Sequence, residues 1–167
     1  TDAPLPIQMR LASKTAPAHD QGAMARIFLS YARSDRTRVA DLAGALERAG
    51  HEVWWDRRLS AGAEFERQIE AALDDADVVL VAWSAAAARS HWVRDEAASG
   101  RDRGRLVPIS LDGTPPPMGF RQLHTIDLTA WEGGPSCCCP EVEGAVASRC
   151  AVGGTLTPEP PSHISSA

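Results

Sequence analysis

The fold class that the sequence predicts is α/β, an open five-stranded parallel sheet with helices on both faces. Three observations predict it. Short apolar runs of strand length alternate with segments whose apolar residues recur at helical spacing. The links between them are short, so consecutive elements pack beside one another in one layered unit. One run, Val78-Val79-Leu80-Val81-Ala82, is apolar on every side, as a central parallel strand covered on both faces must be.

Each element has its own signal. With the predicted strands lettered A to E in chain order, Arg26 to Ser30 is strand A. Asp35 stands where a helix cap is wanted, and Val39, Leu42, Ala43 and Leu46 follow at i, i+3, i+4 and i+7. Gly50 supplies the C-terminal stop. His51 to Trp55 is strand B, and Asp56 to Gly62 is a polar loop. Phe65, Ile69, Ala72 and Leu73 mark the apolar face of the next helix, and Asp77 to Trp83 is strand C. Ser84 to Gly100 is helical, with Ser90 marking a fresh start after an alanine-rich turn. Arg105 to Leu111 is strand D. Its Pro108 cannot donate to a ladder and is expected at an edge or a break. Gly113 to Gly119 is a proline-rich loop and His124 to Leu128 is strand E. The expected strand order is B-A-C-D-E, flavodoxin-like in size and connection.

The ordered unit is expected over residues 26–132, after a disordered leader at 1–25. A tail at 133–167 is expected to carry one short helix at 140–149 and otherwise to be disordered. The 167 residues are 44% hydrophobic and 23% charged, ordinary values for a globular protein. Net charge is −5 and the arginines are scattered among acids, which argues against nucleic acid as the main partner. Lys14 is the only lysine, while alanine and arginine are abundant, a bias that suggests a GC-rich bacterial source. No stretch approaches the roughly 18 apolar residues of a membrane span, and no signal peptide is visible. A cytoplasmic protein with reduced thiols at Cys137, Cys138, Cys139 and Cys150 is therefore expected. No histidine stands at zinc-finger spacing from these cysteines, so no metal is expected.

In an open parallel sheet, ligands bind beyond the carboxyl ends of the strands where strand order reverses, here between A and C. Ser30-Tyr31-Ala32-Arg33 and Trp83-Ser84 lie just past those ends, and the Asp56–Gly62 loop emerges at the same edge. Trp92 and Glu96, four residues apart on a helix that begins there, share a face. A flat aromatic beside a carboxylate suits a nucleotide ring and its ribose. Arg33, Arg57 and Arg58 offer bidentate donors to a pyrophosphate. Tyr31, Trp55 and Trp92 offer stacking faces. Asp56 and Asp95 rival Glu96, although Asp95 sits about 100° round the helix from it. Plainer readings stand beside each of these. The arginines serve equally as solvated loop charges, Trp55 as a strand residue packed on a helix, and Ser30 and Ser84 as caps. Phosphate-loop and G-x-G-x-x-G signatures are absent, and the histidines are dispersed.

Taken together, these segments resemble Toll/interleukin-1 receptor (TIR) domains. Phe28-Leu-Ser-Tyr-Ala-Arg-Ser-Asp35 looks like the family's first box, and Asp56 to Gly62 looks like its BB loop. Ser84 through Ser90-His-Trp-Val-Arg-Asp-Glu96 looks like its αC motif, S-x(n)-S-x-W-x-x-x-E, and Val107-Pro-Ile109 is similar to its fourth strand. The resemblance spans Arg26 to Trp131.

The resemblance implies one of two functions. Many TIR domains cleave NAD+ at the nicotinamide–ribose bond through the αC glutamate, and others are scaffolds that act only by TIR–TIR association. A glutamate four residues after the αC tryptophan, here Glu96, favours the enzyme. NAD+ is then substrate and no cofactor is implied. Ser30, Tyr31, Arg33, Asp56, Arg57, Ser84 and Trp92 are the implied substrate contacts. The BB-loop residues Arg57, Arg58, Leu59, Ser60, Ala61 and Gly62 are the implied interaction surface, for self-association or other TIR partners. The loop is richer in arginine than the pattern, and Ala85 to Ala88 lacks a bulky residue often found there.

Overall fold

The computed structural model describes residues 24–55, 63–133 and 140–153. The expectations for residues 1–23, the Asp56–Gly62 loop, Cys137 to Cys139 and the end of the tail lie outside the described residues. Five strands form one parallel sheet: β1 (Arg26–Ser30), β2 (Glu52–Trp54), β3 (Val78–Trp83), β4 (Leu106–Ser110) and β5 (Ile126–Asp127). Their order is β2-β1-β3-β4-β5, the expected arrangement. The helices are α1 (Arg36–Arg48), α2 (Ala63–Asp75), α3 (Ala85–Arg89), α4 (His91–Asp102) and α5 (Pro140–Gly153).

The period-two alternation of the strands divides the core into two layers. Ile27, Leu29, Val78, Leu80, Ala82, Val107 and Ile109 face one layer, with Val39, Leu42 and Leu46 of α1 and Val142 and Val146 of α5. Phe28, Val79, Val81, Trp83 and Leu106 face the other, with Ile69 of α2, Ala87 of α3 and Val93 and Ala97 of α4. β3 is buried along its whole length, as its continuous apolar run requires.

Element ends differ from expectation for local reasons. Asp35 does not cap α1 with its side chain; a 3₁₀ turn (Arg33–Asp35) leads into the helix, and the Asp35 carboxylate accepts from the Ser84 hydroxyl instead. At the other end of α1, Gly50 takes φ +98°. Its N–H donates to the Glu47 carbonyl, and the His51 N–H donates to the Leu46 carbonyl. That paired closure consumes His51, so β2 starts one residue later than the apolar run suggested. The helical stretch from Ser84 does break at Ser90, and both serines cap: Ser84 accepts from the Ala87 N–H and Ser90 from the Val93 N–H. Gly100 does not end α4. The helix continues to Asp102, and Gly104, at φ +67°, makes the stop.

Pro108 lies inside the sheet, paired with Val81 of β3. The Leu111 N–H points to β3, where it donates to Trp83, so alternation turns the nitrogen of residue 108 toward β5. The β5 pairing begins only at Ile109, and the missing donor therefore falls at a break in the ladder. The helix expected at 140–149 runs on to Gly153, and Glu143 within it bonds the His51 Nε2 at 2.9 Å.

Gly100 faces the sheet one turn after Glu96. A Cβ there would lie 2.7 Å from Val79 Cβ, well inside contact distance. Only glycine lets α4 sit this close to β3. We expect Gly100→Ala to cost about 1–3 kcal/mol through overpacking. Helix propensity alone predicts a gain of about 1 kcal/mol. Urea unfolding of the variant decides between them, and a stabilised protein would show that α4 is not held by close approach.

A second expectation concerns acid. Burial pushes the Asp77 carboxyl up, but donors from the Arg26 side chain and backbone outweigh it and hold it below its ordinary 3.8. A carboxyl lowered by folding stabilises the protein above its unfolded value and ceases to do so as pH falls through the folded one. Asp77→Asn is therefore expected to lower the urea midpoint at neutral pH and to leave a shallower loss of stability below about pH 4. Parallel acid profiles for variant and parent would exclude this pair.

Candidate functional site

The first turns of α4 rise from the carboxyl edge of the sheet, beside the end of β1. Val93, Glu96, Ala97 and Gly100 are the buried residues of α4 and recur at i, i+3, i+4 and i+7. Three of them are apolar or small, and the fourth is a carboxylate. Glu96 is only 5% exposed, and its Oε2 accepts the hydroxyl of Ser30, itself 0% exposed. A carboxylate placed in an apolar stripe is costly to desolvate, and it persists only where donors hold it. Phe28 lies in the α4 layer, and alternation puts Ser30, two residues on, on the same face.

The same alternation carries Tyr31 away. It lies in the α1 layer, buried among Leu29, Val39 and their neighbours, and its hydroxyl donates to the Trp55 carbonyl at 2.9 Å. Trp55 packs against that layer too, with the Arg36 guanidinium 5.7 Å from its ring centroid. The adjacent Trp54 points the other way and stacks on Phe28 at 5.0 Å. The rings read from sequence as one stacking set are thus split between two faces of the sheet.

Trp92 is 41% exposed, one turn before Glu96 and at the rim of the same helix. Asp95 is exposed and looks elsewhere, as its angular offset requires. Arg33 is exposed on the 3₁₀ turn. Ser84 is occupied twice, as the α3 cap and as donor to Asp35. Asp56, Arg57, Arg58, Leu59, Ser60, Ala61 and Gly62 lie outside the described residues. Ser30 and Glu96 are brought into contact, Trp92 stands nearby on the helix, and Tyr31 and Trp55 are on the opposite face.

Several residues at this edge had no clear sequence signal. Asp112 accepts the Ala85 N–H at 2.9 Å at the start of α3. Burial raises its carboxyl, but this bond and those from Thr114 outweigh it and hold it below the usual range. Arg38 on α1 donates to the carbonyls of Leu111, Leu128, Thr129 and Trp131, tying α1 to the chain beyond β4 and β5. It also lines a cavity of about 460 Å³ with Thr37, Asp41 and Trp131, but its guanidinium is committed to those carbonyls. Spacing along a sequence carries no trace of such long-range bonds. Among the described residues no group of His, Cys, Asp or Glu is arranged to hold a metal ion, and no helix is long and apolar enough to cross a membrane. Cys150 is a free thiol, and burial pushes it up.

Comparison with known proteins agrees with the geometry. The family profile described as TIR domain matches residues 27–136. No curated protein matches the sequence. Among solved structures, the chain is similar to a metazoan TIR-STING receptor from C. gigas, determined in complex with 2',3'-cGAMP. The TM-score is 0.58 at 18% identity, over 81% of this chain and 42% of the receptor, so the likeness speaks for the fold alone. With the profile covering well over half of its length, the chain belongs to the TIR domain family.

Proposed function

We propose that this TIR domain is an NAD+ nucleohydrolase that breaks the nicotinamide–ribose bond, with Glu96 as its catalytic carboxylate. The observation that carries the reading is the burial of Glu96 at the carboxyl edge of the sheet, where strand order reverses and ligands of open α/β folds bind. A buried carboxylate with a dedicated donor is poorly explained as a structural residue, because an apolar side chain would fill the same stripe without desolvation cost.

The chemistry needs little else. As the C–N bond breaks, its electron pair returns to the pyridine nitrogen and nicotinamide leaves neutral, so no general acid is required. Positive charge builds on the ribose as in glycoside hydrolysis, and a fixed carboxylate holds the ribose hydroxyls and stabilises that charge. Water then adds at the anomeric carbon and releases a proton, giving ADP-ribose; internal capture by the adenine gives a cyclic product. Trp92 at the rim supplies a stacking face, and Arg33 and Arg57 are donors for the pyrophosphate. We further propose a cytoplasmic role in bacterial signalling or defence, for which the alanine- and arginine-rich, lysine-poor composition is the support.

Glu96→Gln keeps the shape and removes the charge. We expect NAD+ consumption, followed by chromatography, to fall on the order of 10²-fold or more. Equal turnover in variant and parent would remove Glu96 from the mechanism. No NAD+ loss by the parent at any concentration, together with self-association, would leave the alternative function, a TIR–TIR interaction module acting through Arg57 and Arg58.

Assembly is the other expectation. Head-to-tail TIR contacts are heterologous and extend into filaments, and a neighbour seated on the Asp56–Gly62 side would close the crevice against water. Specific activity is therefore expected to rise with protein concentration. A rate strictly proportional to enzyme over a hundredfold range, with a monomer in light scattering, would defeat self-assembly as the trigger.

A further inference from the structure

We propose that Ser30 is a positioning residue for Glu96 and makes no contact with substrate of its own. The sequence offered Ser30 as a substrate contact, at the mouth of the crevice. Its burial argues otherwise: Ser30 is fully enclosed, and its one O–H is given to Glu96 Oε2. A hydroxyl has a single proton to donate, so the bond to Glu96 leaves none for a ribose or phosphate oxygen.

What that bond does follows from the two elements it joins. Ser30 is the last residue of β1 and is paired with Val81 of β3, the strand buried along its whole length, so its backbone is held by the sheet although the β2 pairing ends at Phe28. Glu96 is carried by a helix pressed against β3 at Gly100. Glutamate has three rotatable side-chain bonds, and a carboxylate that wanders among rotamers is a poor partner for a charge that develops at one place. A donor on a rigid strand removes that freedom and sets which oxygen faces the sheet. The hydroxyl is also neutral. This bond by itself therefore brings no opposite charge up to the carboxylate, as an arginine in the place of Ser30 would.

The catalytic half of this inference rests on the NAD+-cleaving function, and the test separates the two. Parent, Ser30→Ala, Glu96→Ala and the double variant are compared by kcat and KM for NAD+, with enzyme in excess where rates are low, and by thermal unfolding. Ser30→Ala is expected to lower kcat about 10- to 100-fold with KM changed less than about twofold. In the Glu96→Ala background the same substitution should cost no further rate, because its effect passes through the carboxylate. A raised KM at unchanged kcat would make Ser30 a substrate contact, and an equal loss of rate in both backgrounds would make it a general packing residue. Either result overturns the proposal. If the parent never cleaves NAD+, the enzymatic function fails. The unfolding data then decide whether Ser30 holds Glu96: a fall in Tm on Ser30→Ala that disappears in the Glu96→Ala background supports the link, and equal falls in both refute it.

Discussion

The seating of α4 on the sheet is the constraint on which the rest of this site depends. A helix normally stands off a sheet by the length of its side chains, and a carboxylate at its interface would be stranded in apolar surroundings. Here Gly100 removes the side chain where α4 meets Val79, and the helix comes down onto β3. That approach carries Glu96 to the end of β1, within reach of the Ser30 hydroxyl. Glycine in a helix costs about 1 kcal/mol against alanine. The cost is offset only if the closer contact matters, and in this fold it sets the position of a buried charge.

The layered order of the sheet was legible in the sequence because it rests on periodicity. The continuous apolar run of β3, the helical spacing of Val39 to Leu46 and the stop at Gly50 are each local patterns with one physical reading. Ser90 as a fresh helix start was legible for the same reason, since a serine before a helical run is a cap wherever it occurs. The ends were less so. Asp35 was read as a cap because capping is a local habit, but a long-range partner, Ser84, claimed its carboxylate. His51 left β2 because the helix before it needed its N–H.

The site was legible in one half only. Glu96 could be singled out from its spacing to Trp92, yet that spacing describes two residues whose environments differ sharply, one buried and one at the rim. Tyr31 shows the opposite failure. It follows Ser30 directly, so proximity in sequence suggested a shared crevice, while the pleat requires neighbours on a strand to face opposite sides. Applying that rule to the end of β1 separates Ser30 from Tyr31 without any coordinates, and likewise Trp54 from Trp55. Gly100 could not have been found this way, because a glycine near a helix end reads first as a terminator.

The polar groups at the carboxyl edge divide into two kinds, and the division bears on where chemistry can occur. Ser84, Asp35, Asp112 and Arg38 are spent on backbone and side-chain partners: caps at the start of α3, carbonyls beyond β4 and β5. Such groups satisfy donors and acceptors that the ends of strands and helices leave open, and substrate could reach them only by displacing those bonds. Ser30 and Glu96 serve no helix end and close no turn. Their bond joins the carboxyl end of β1 to the middle of α4. An apolar pair would pack there at lower cost. A carboxylate kept at such a place, with the hydroxyl of a sheet residue bonded to one of its oxygens, suits a group that must meet a developing positive charge in one geometry.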